Sequence, residues 1–229
     1  AVAYAPGLIG ALLIGVNAAK TLAYAWQKPF LGINHIEAHL YAAMMGNLTL
    51  EAFPAIGLVI SGGHTLLLEI QNVGDYFFIG QTIDDAIGEC FDKVATMLAL
   101  PYPGGPEIER LAQEGDSGKY AFKAGKTKNE PFNFSFSGLK TRVLYTVKGQ
   151  GAQKNQAAIL PDSEKKHIAA SFQEAAFADI INKTRLAAQS RNCQSLFVGG
   201  GVSNNQTLRQ LFAERAPELT VYWPQKNLS

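Results

Sequence analysis

Residues 195–223 read SLFVGGGVSNNQTLRQLFAERAPELTVYW, and they decide the fold class. Residues 195–198 are an apolar run, Gly199-Gly200-Gly201 is a turn, residues 204–215 predict a helix and residues 219–223 a second strand. Strand, helix and strand in that order make a βαβ unit, so the chain is α/β. Before it, residues 167–190 predict one long helix. Residues 56–60 and 65–70 flank Ser61-Gly62-Gly63-His64 and predict a hairpin, with residues 77–79 as a third strand. Residues 84–98 predict a helix with Ile87, Phe91, Val94 and Leu98 on one face. Pro101-Tyr102-Pro103-Gly104-Gly105-Pro106 is a rigid loop opening a helix at Pro106-Glu107, since proline suits a first helical turn. Residues 115–163 read as loop-rich and basic.

At the N-terminal end, residues 1–5 predict a strand ended by Pro6-Gly7. Residues 7–26 are the most apolar segment. Asn17, Lys20 and Gln27 interrupt or bound it, and its large residues recur at helical spacing, which predicts a buried helix rather than a membrane span. Asn34 is the expected N-cap of a helix through Met45, closed by Gly46-Asn47.

Composition sets the outer limits. Of 229 residues 47% are apolar, enough for a packed core and too many for a disordered chain. At roughly 150 residues per domain, that length is one large domain or two small ones. Twenty Lys and Arg against nineteen Asp and Glu leave +1, so any nucleic-acid site is a local patch. Cys90 and Cys193 form neither a disulfide framework nor a metal knot, which suits a reducing compartment. No charged stretch precedes an apolar one, so no signal peptide is expected.

The sharpest local signal is Asn34-His35-Ile36-Glu37-Ala38-His39. Two histidines four apart lie on one helical face, where they can share a metal ion. Glu37 is out of register for a zincin base. On spacing alone, two packing or surface histidines are the simpler reading, and a metal would need a third ligand, most naturally a carboxylate. The turns at Ser61-Gly62-Gly63 and Gly199-Gly200-Gly201-Val202-Ser203 let backbone N–H groups approach a phosphate, although tight turns need glycine anyway. Ser203 is a candidate cap for the helix after it. Asp85, Glu89 and Asp92 share a polar face; Asp85 and Glu89 read as solvated, while Asp92 suits ribose hydroxyls. Glu109 has similar potential. Residues 119–154 hold eight basic residues against the single Glu130, a local +7. Their lysines suit either a solvated loop or an RNA contact. Phe132, Phe134 and Phe136 alternate with polar residues and predict a strand with a core face.

These segments together resemble a known family. They are Pro-Gly-Leu-Ile-Gly-Ala-Leu (6–12), Asn-His-Ile-Glu-Ala-His (34–39), Ile-Ser-Gly-Gly-His-Thr (60–65) and Ile-Asp-Asp-Ala-Ile-Gly-Glu-Cys-Phe-Asp-Lys (83–93). Tyr-Pro-Gly-Gly-Pro (102–106), Phe-Ser-Phe-Ser-Gly-Leu-Lys-Thr (134–141) and Gly-Gly-Gly-Val-Ser-Asn-Asn (199–205) follow in order. The chain resembles the tRNA adenosine threonylcarbamoyltransferases, long labelled O-sialoglycoprotein endopeptidases, in their bacterial branch. The resemblance implies a two-lobed actin-like, sugar-kinase-like (ribonuclease-H-like) ATPase fold. It divides the chain into residues 1–55, the rest of lobe I with the metal helix, and residues 56–229, a nearly complete lobe II. The implied reaction moves threonylcarbamoyl from its AMP anhydride to N6 of the adenosine 3′ of the anticodon, in tRNAs reading codons that begin with A.

By the same resemblance His35 and His39 hold one divalent metal ion per subunit, iron or zinc. Val59, Ile60, Ser61, Gly62 and Gly63 contact threonylcarbamoyl-AMP, and Asp92, Gly105 and Asn205 hold its nucleoside. Glu109 joins them at a position that varies within the family. ATP or AMP is expected in the same cleft. The implied partners are tRNA, a smaller fold-related subunit and a small ATPase, in the cytoplasm and with no membrane. Neither cysteine has a predicted histidine beside it and Ser61 lies in a binding turn, so direct transfer without a covalent enzyme intermediate is expected. The family's first phosphate loop and its late Cys-Thr-Asp-Asn-type motif, whose aspartate completes the metal site, are missing. The chain is therefore expected to be incomplete at both ends, to bind metal weakly and not to turn over alone. Rival readings are a metal-dependent glycoprotein endopeptidase, a non-catalytic actin-like partner subunit, and an ATPase or sugar kinase.

Overall fold

The computed structural model describes residues 1–47, 49–127, 130–150 and 160–228. The chain begins with β1 (Val2–Ala5), α1 (Ile9–Ala25), β2 (Gly32–Asn34), parallel to β1, and α2 (His35–Met44). A meander follows: β3 (Ala55–Ile60), β4 (Thr65–Asn72) and β5 (Asp75–Gln81). Next come α3 (Ile87–Met97), α4 (Gly104–Ala112), α5 (Ser137–Lys148) and α6 (Lys165–Ser190). The segment quoted at the outset forms β6 (Ser195–Gly199), α7 (Gln206–Arg215) and β7 (Thr220–Tyr222).

The last five strands form one sheet in the order β5-β4-β3-β6-β7. β3–β4 and β4–β5 are antiparallel; β3–β6 and β6–β7 are parallel. The predicted hairpin and the βαβ unit are thus both present and meet at β3 and β6. Every residue of β3 is buried, because both faces of this central strand are covered. Ile56, Leu58 and Ile60 enter the larger core, with residues of α3, α5, α6 and α7. Ala55 and Val59 face the other way, into a second core with Leu40, Ala43 and Met44 of α2. The predicted face of α3 is correct: Ile87, Phe91, Val94 and Leu98 are all buried.

Five expectations are corrected. α1 has no buried residue; Ile14 is 75% and Trp26 65% exposed. It packs chiefly on β1, and the two-stranded β1–β2 sheet leaves most of its apolar surface uncovered. Residues 132–136 are not a strand: Phe134 makes one isolated bridge to Thr82. Phe134 and Phe136 are nonetheless fully buried, so the expected core role stands. The region read as loop contains α5, whose short amphipathic pattern lies among glycines and lysines. Asp84 starts it, accepting from Ser135 Oγ (2.6 Å), Phe136 N (2.8 Å) and Ser137 N (3.2 Å). Asp84 therefore precedes α3 instead of opening it. Finally, Asp85 is no solvated residue. Its carboxylate pairs with Lys93 at 2.7 Å and with Lys140 of α5.

Candidate functional site

The site is built around the turn between β3 and β4. Ser61 N donates to His64 O (2.8 Å), and His64 N donates to Ser61 Oγ (3.1 Å). The Ser61 hydroxyl thus closes the turn, which supports reading it as structural and not as a nucleophile. Thr65 Oγ1 accepts from Ile87 N (2.8 Å) and Ser61 O from Gly88 N (3.2 Å), docking the start of α3 against the turn.

Beside the turn is a cavity of about 300 Å³, at the lower end of small-molecule sites. Gly62, Phe91, Asp92, Gly105, Glu109 and Asn205 are among its lining residues. Five of these are predicted site residues, drawn from four separate segments. Side-chain space is open over Gly62, Gly105 and Gly201, so backbone N–H groups there can approach a ligand closely. Asp92 Oδ1 accepts from Gly104 N (2.8 Å), which satisfies the start of α4 and leaves Oδ2 for a ligand. Glu109 Oε1 accepts from Gln206 N (2.6 Å) and Thr207 N (3.3 Å), so the carboxylate caps α7 from another helix. Asn205 Oδ1 accepts from Leu208 N (2.9 Å), and its amide donates to Gln173 Oε1 (3.2 Å), leaving one amide hydrogen. Asn205, not Ser203, is the cap of α7; the Ser203 hydroxyl is buried without a partner.

Val59 and Ile60 are fully buried, their side chains in opposite cores, so only their backbone can meet a ligand. Two of the three glycines at the end of β6, Gly199 and Gly200, serve packing. Gly200 has φ +96°, and a Cβ there would strike the Ile60 carbonyl; a Cβ on Gly199 would strike that of His39. These contacts bind α2 to the turn.

On α2, Asn34 caps as expected, accepting from Ile36 N at 2.9 Å. The rings of His35 and His39 lie 4.4 Å apart, and His64 brings a third ring to 5.7 Å from His35. Spacing could not find His64, because the β3–β4 turn and α2 are brought together only by the tertiary fold. Burial, then the neighbouring His35 and His64, holds His39 down to about 4, and burial with His35 also lowers His64. His39 is thus neutral near pH 7, the form that ligates metals. Its Nε2 is enclosed and without a hydrogen-bond partner, as an imidazole facing a metal position would be. The pair fits as two donors of a coordination shell. Among the described residues no group of three or more His, Cys, Asp and Glu is set to hold an ion. Cys90 is pushed up to about 12, chiefly by burial, and Cys193 is raised by burial, so neither thiol is a ready nucleophile.

Comparison with known proteins settles the family. The family model described as TsaD, tRNA N6-adenosine threonylcarbamoyltransferase, matches residues 1–229. The chain belongs to this family. It is 57% identical over 229 residues to the tRNA N6-adenosine threonylcarbamoyltransferase of Protochlamydia amoebophila, covering 100% of this chain and 66% of the relative. The Chlamydia muridarum protein of the same name is 49% identical over 228 residues, covering 99% of this chain and 66% of that one. The chain thus spans about two thirds of the length of these relatives. The structure of full-length HypF in its phosphate- and nucleotide-bound form superposes with a TM-score of 0.63 at 13% identity, over 88% of this chain and 34% of HypF. That likeness concerns the fold alone. With the family membership, it identifies the expected actin-like ATPase fold. Among the described residues no helix is long and apolar enough to cross a membrane.

The basic segment is weaker than its count. Lys140 pairs with Asp85 and Lys119 with Glu164 (2.7 Å), acids lying outside the segment. Lys128 and Lys154 lie outside the described residues. Lys123 and Lys126 remain exposed, along a groove against α6.

Proposed function

We propose that the cavity binds the nucleotide end of threonylcarbamoyl-AMP and that the protein of which this chain is part transfers its threonylcarbamoyl group to N6 of the adenosine 3′ of the anticodon in tRNA. The observation that carries this reading is the joining of Gly62, Asp92, Gly105, Glu109 and Asn205 around one cavity, beside a turn that ends at the histidines. Gly62 and His64 are two residues apart, so at most about 7 Å of chain separates the two halves of the site. An acyl-adenylate fits that layout, with its nucleoside in the cavity and its acyl group reaching across the turn.

Asp92 Oδ2 accepts from ribose hydroxyls, and the open backbone at Gly62, Gly105 and Gly201 receives the phosphate. The enzyme's task is then to hold the amine of adenosine against the carbamoyl carbon. N6 attacks that carbon, the carbon–oxygen bond to phosphate breaks, AMP leaves with the bonding electrons, and N6 loses a proton. With both thiols raised and Ser61 committed to its turn, transfer is direct. His35 and His39 hold a divalent metal, iron or zinc; bound there, such an ion supplies Lewis-acid polarisation. Lys123 and Lys126 are the exposed lysines best placed to meet tRNA phosphates. A smaller fold-related subunit and a small ATPase complete the working assembly in the cytoplasm.

The test is mass spectrometry of tRNA nucleosides from cells depleted of the full-length protein. Threonylcarbamoyladenosine should fall; an unchanged level refutes the reading.

A further inference from the structure

Three of the chain's four histidines converge at the turn, and the third has no assigned task. His64 Nδ1 is enclosed and has no hydrogen-bond partner. A buried N–H without an acceptor is costly, so the proton belongs on Nε2, the nitrogen not so enclosed. The backbone fixes where that ring stands: His64 N is bonded to Ser61 Oγ and His64 O to Ser61 N, while the ring sits 5.7 Å from that of His35. His64 therefore offers a ring N–H donor beside the His35/His39 pair, two residues along the turn from Gly62 of the cavity.

We infer that His64 Nε2–H donates a hydrogen bond to an oxygen of the acyl group on the bound adenylate, holding it against the histidine pair. This makes His64 a substrate-contacting residue, distinct from the metal pair. The inference rests on the proposed acyl-adenylate substrate. An orphaned buried nitrogen is its structural signature: the tautomer it dictates presents its proton outward.

The test measures binding by the full-length protein of two probes, AMP and a threonylcarbamoyl-adenylate phosphonate in which CH2 replaces the bridging anhydride oxygen. Wild type should bind the phosphonate more tightly than AMP. His64→Ala should lose about tenfold in phosphonate affinity with AMP unchanged, and His64→Gln, which keeps a donor, should recover part of the loss. Zinc content after dialysis should match wild type. Retained phosphonate preference in His64→Ala overturns this inference alone. Equal loss of both probes shows a structural role and also overturns it, as does loss of zinc, which would make His64 a metal ligand. Absence of any preference in wild type defeats the substrate reading and this inference with it.

Discussion

Single residues in this protein often serve two masters. Asp92 caps α4 through one oxygen and faces the cavity with the other. Asp92→Ala should therefore weaken AMP binding at least about tenfold and lower stability by about 1 kcal/mol, read by calorimetric titration and urea unfolding. Asp85 works purely for the fold. Burial opposes its ionisation, but hydrogen bonds from Lys140 and Lys93 outweigh it and hold its carboxyl below the ordinary 3.8. A carboxylate depressed in the folded state adds stability above its unfolded value and loses it as pH falls through its folded value. Wild type should thus lose an Asp85 contribution of about 1–2 kcal/mol below about pH 4, and Asp85→Asn should remove that part of the acid dependence. Urea midpoints at a series of pH values check this. In the full-length protein, either His35→Ala or His39→Ala should lower zinc retention, measured by elemental analysis, because each removes one imidazole of the pair.

Elements here are fastened by side chains from other elements. Asp84 starts α5, Thr65 starts α3, and Glu109 of α4 caps α7. Glu109→Ala should lower stability by about 0.5–2 kcal/mol even though Glu109 lies at the cavity wall; thermal unfolding without ligand reads the cap separately from binding. The turn after β6 is tied more tightly. At φ +96° and against the Ile60 carbonyl, Gly200→Ala should cost about 2 kcal/mol or more and loosen the cavity, seen as a lowered unfolding midpoint and weaker AMP binding. The same fastening explains two partly readable motifs. Residues 83–93 and 134–141 were visible as blocks, but Asp84 and Asp85 meeting Ser135, Phe136 and Lys140 is a pairing about fifty positions apart, which no local period encodes.

Across the whole molecule, the central strands β3 and β6 are packed on both faces, whereas the helix α1 and its ends expose Leu8, Ile9, Leu13, Ile14, Tyr24 and Trp26. An apolar surface of that kind promotes association. The chain by itself should sediment with concentration-dependent mass and bind a hydrophobic dye; Ile9→Lys with Ile14→Lys should suppress both without moving the unfolding midpoint. From sequence alone, α1 reads as a buried helix because periodicity reports apolar content, not the presence of a covering layer. Local chemistry did determine much: the βαβ unit, the hairpin, the Asn34 cap, the core face of α3 and the spaced histidines all follow from patterns within a few turns of chain. The tertiary structure alone decided that Gly62, Asp92, Gly105, Glu109 and Asn205 share one cavity and that His64 stands beside His35. It also decided that Lys119 and Lys140 are neutralised by distant acids. The physical reason is common to all three: periodicity and propensity act over neighbouring residues, while cavities, orphaned nitrogens and ion pairs arise where segments far apart in sequence pack against each other.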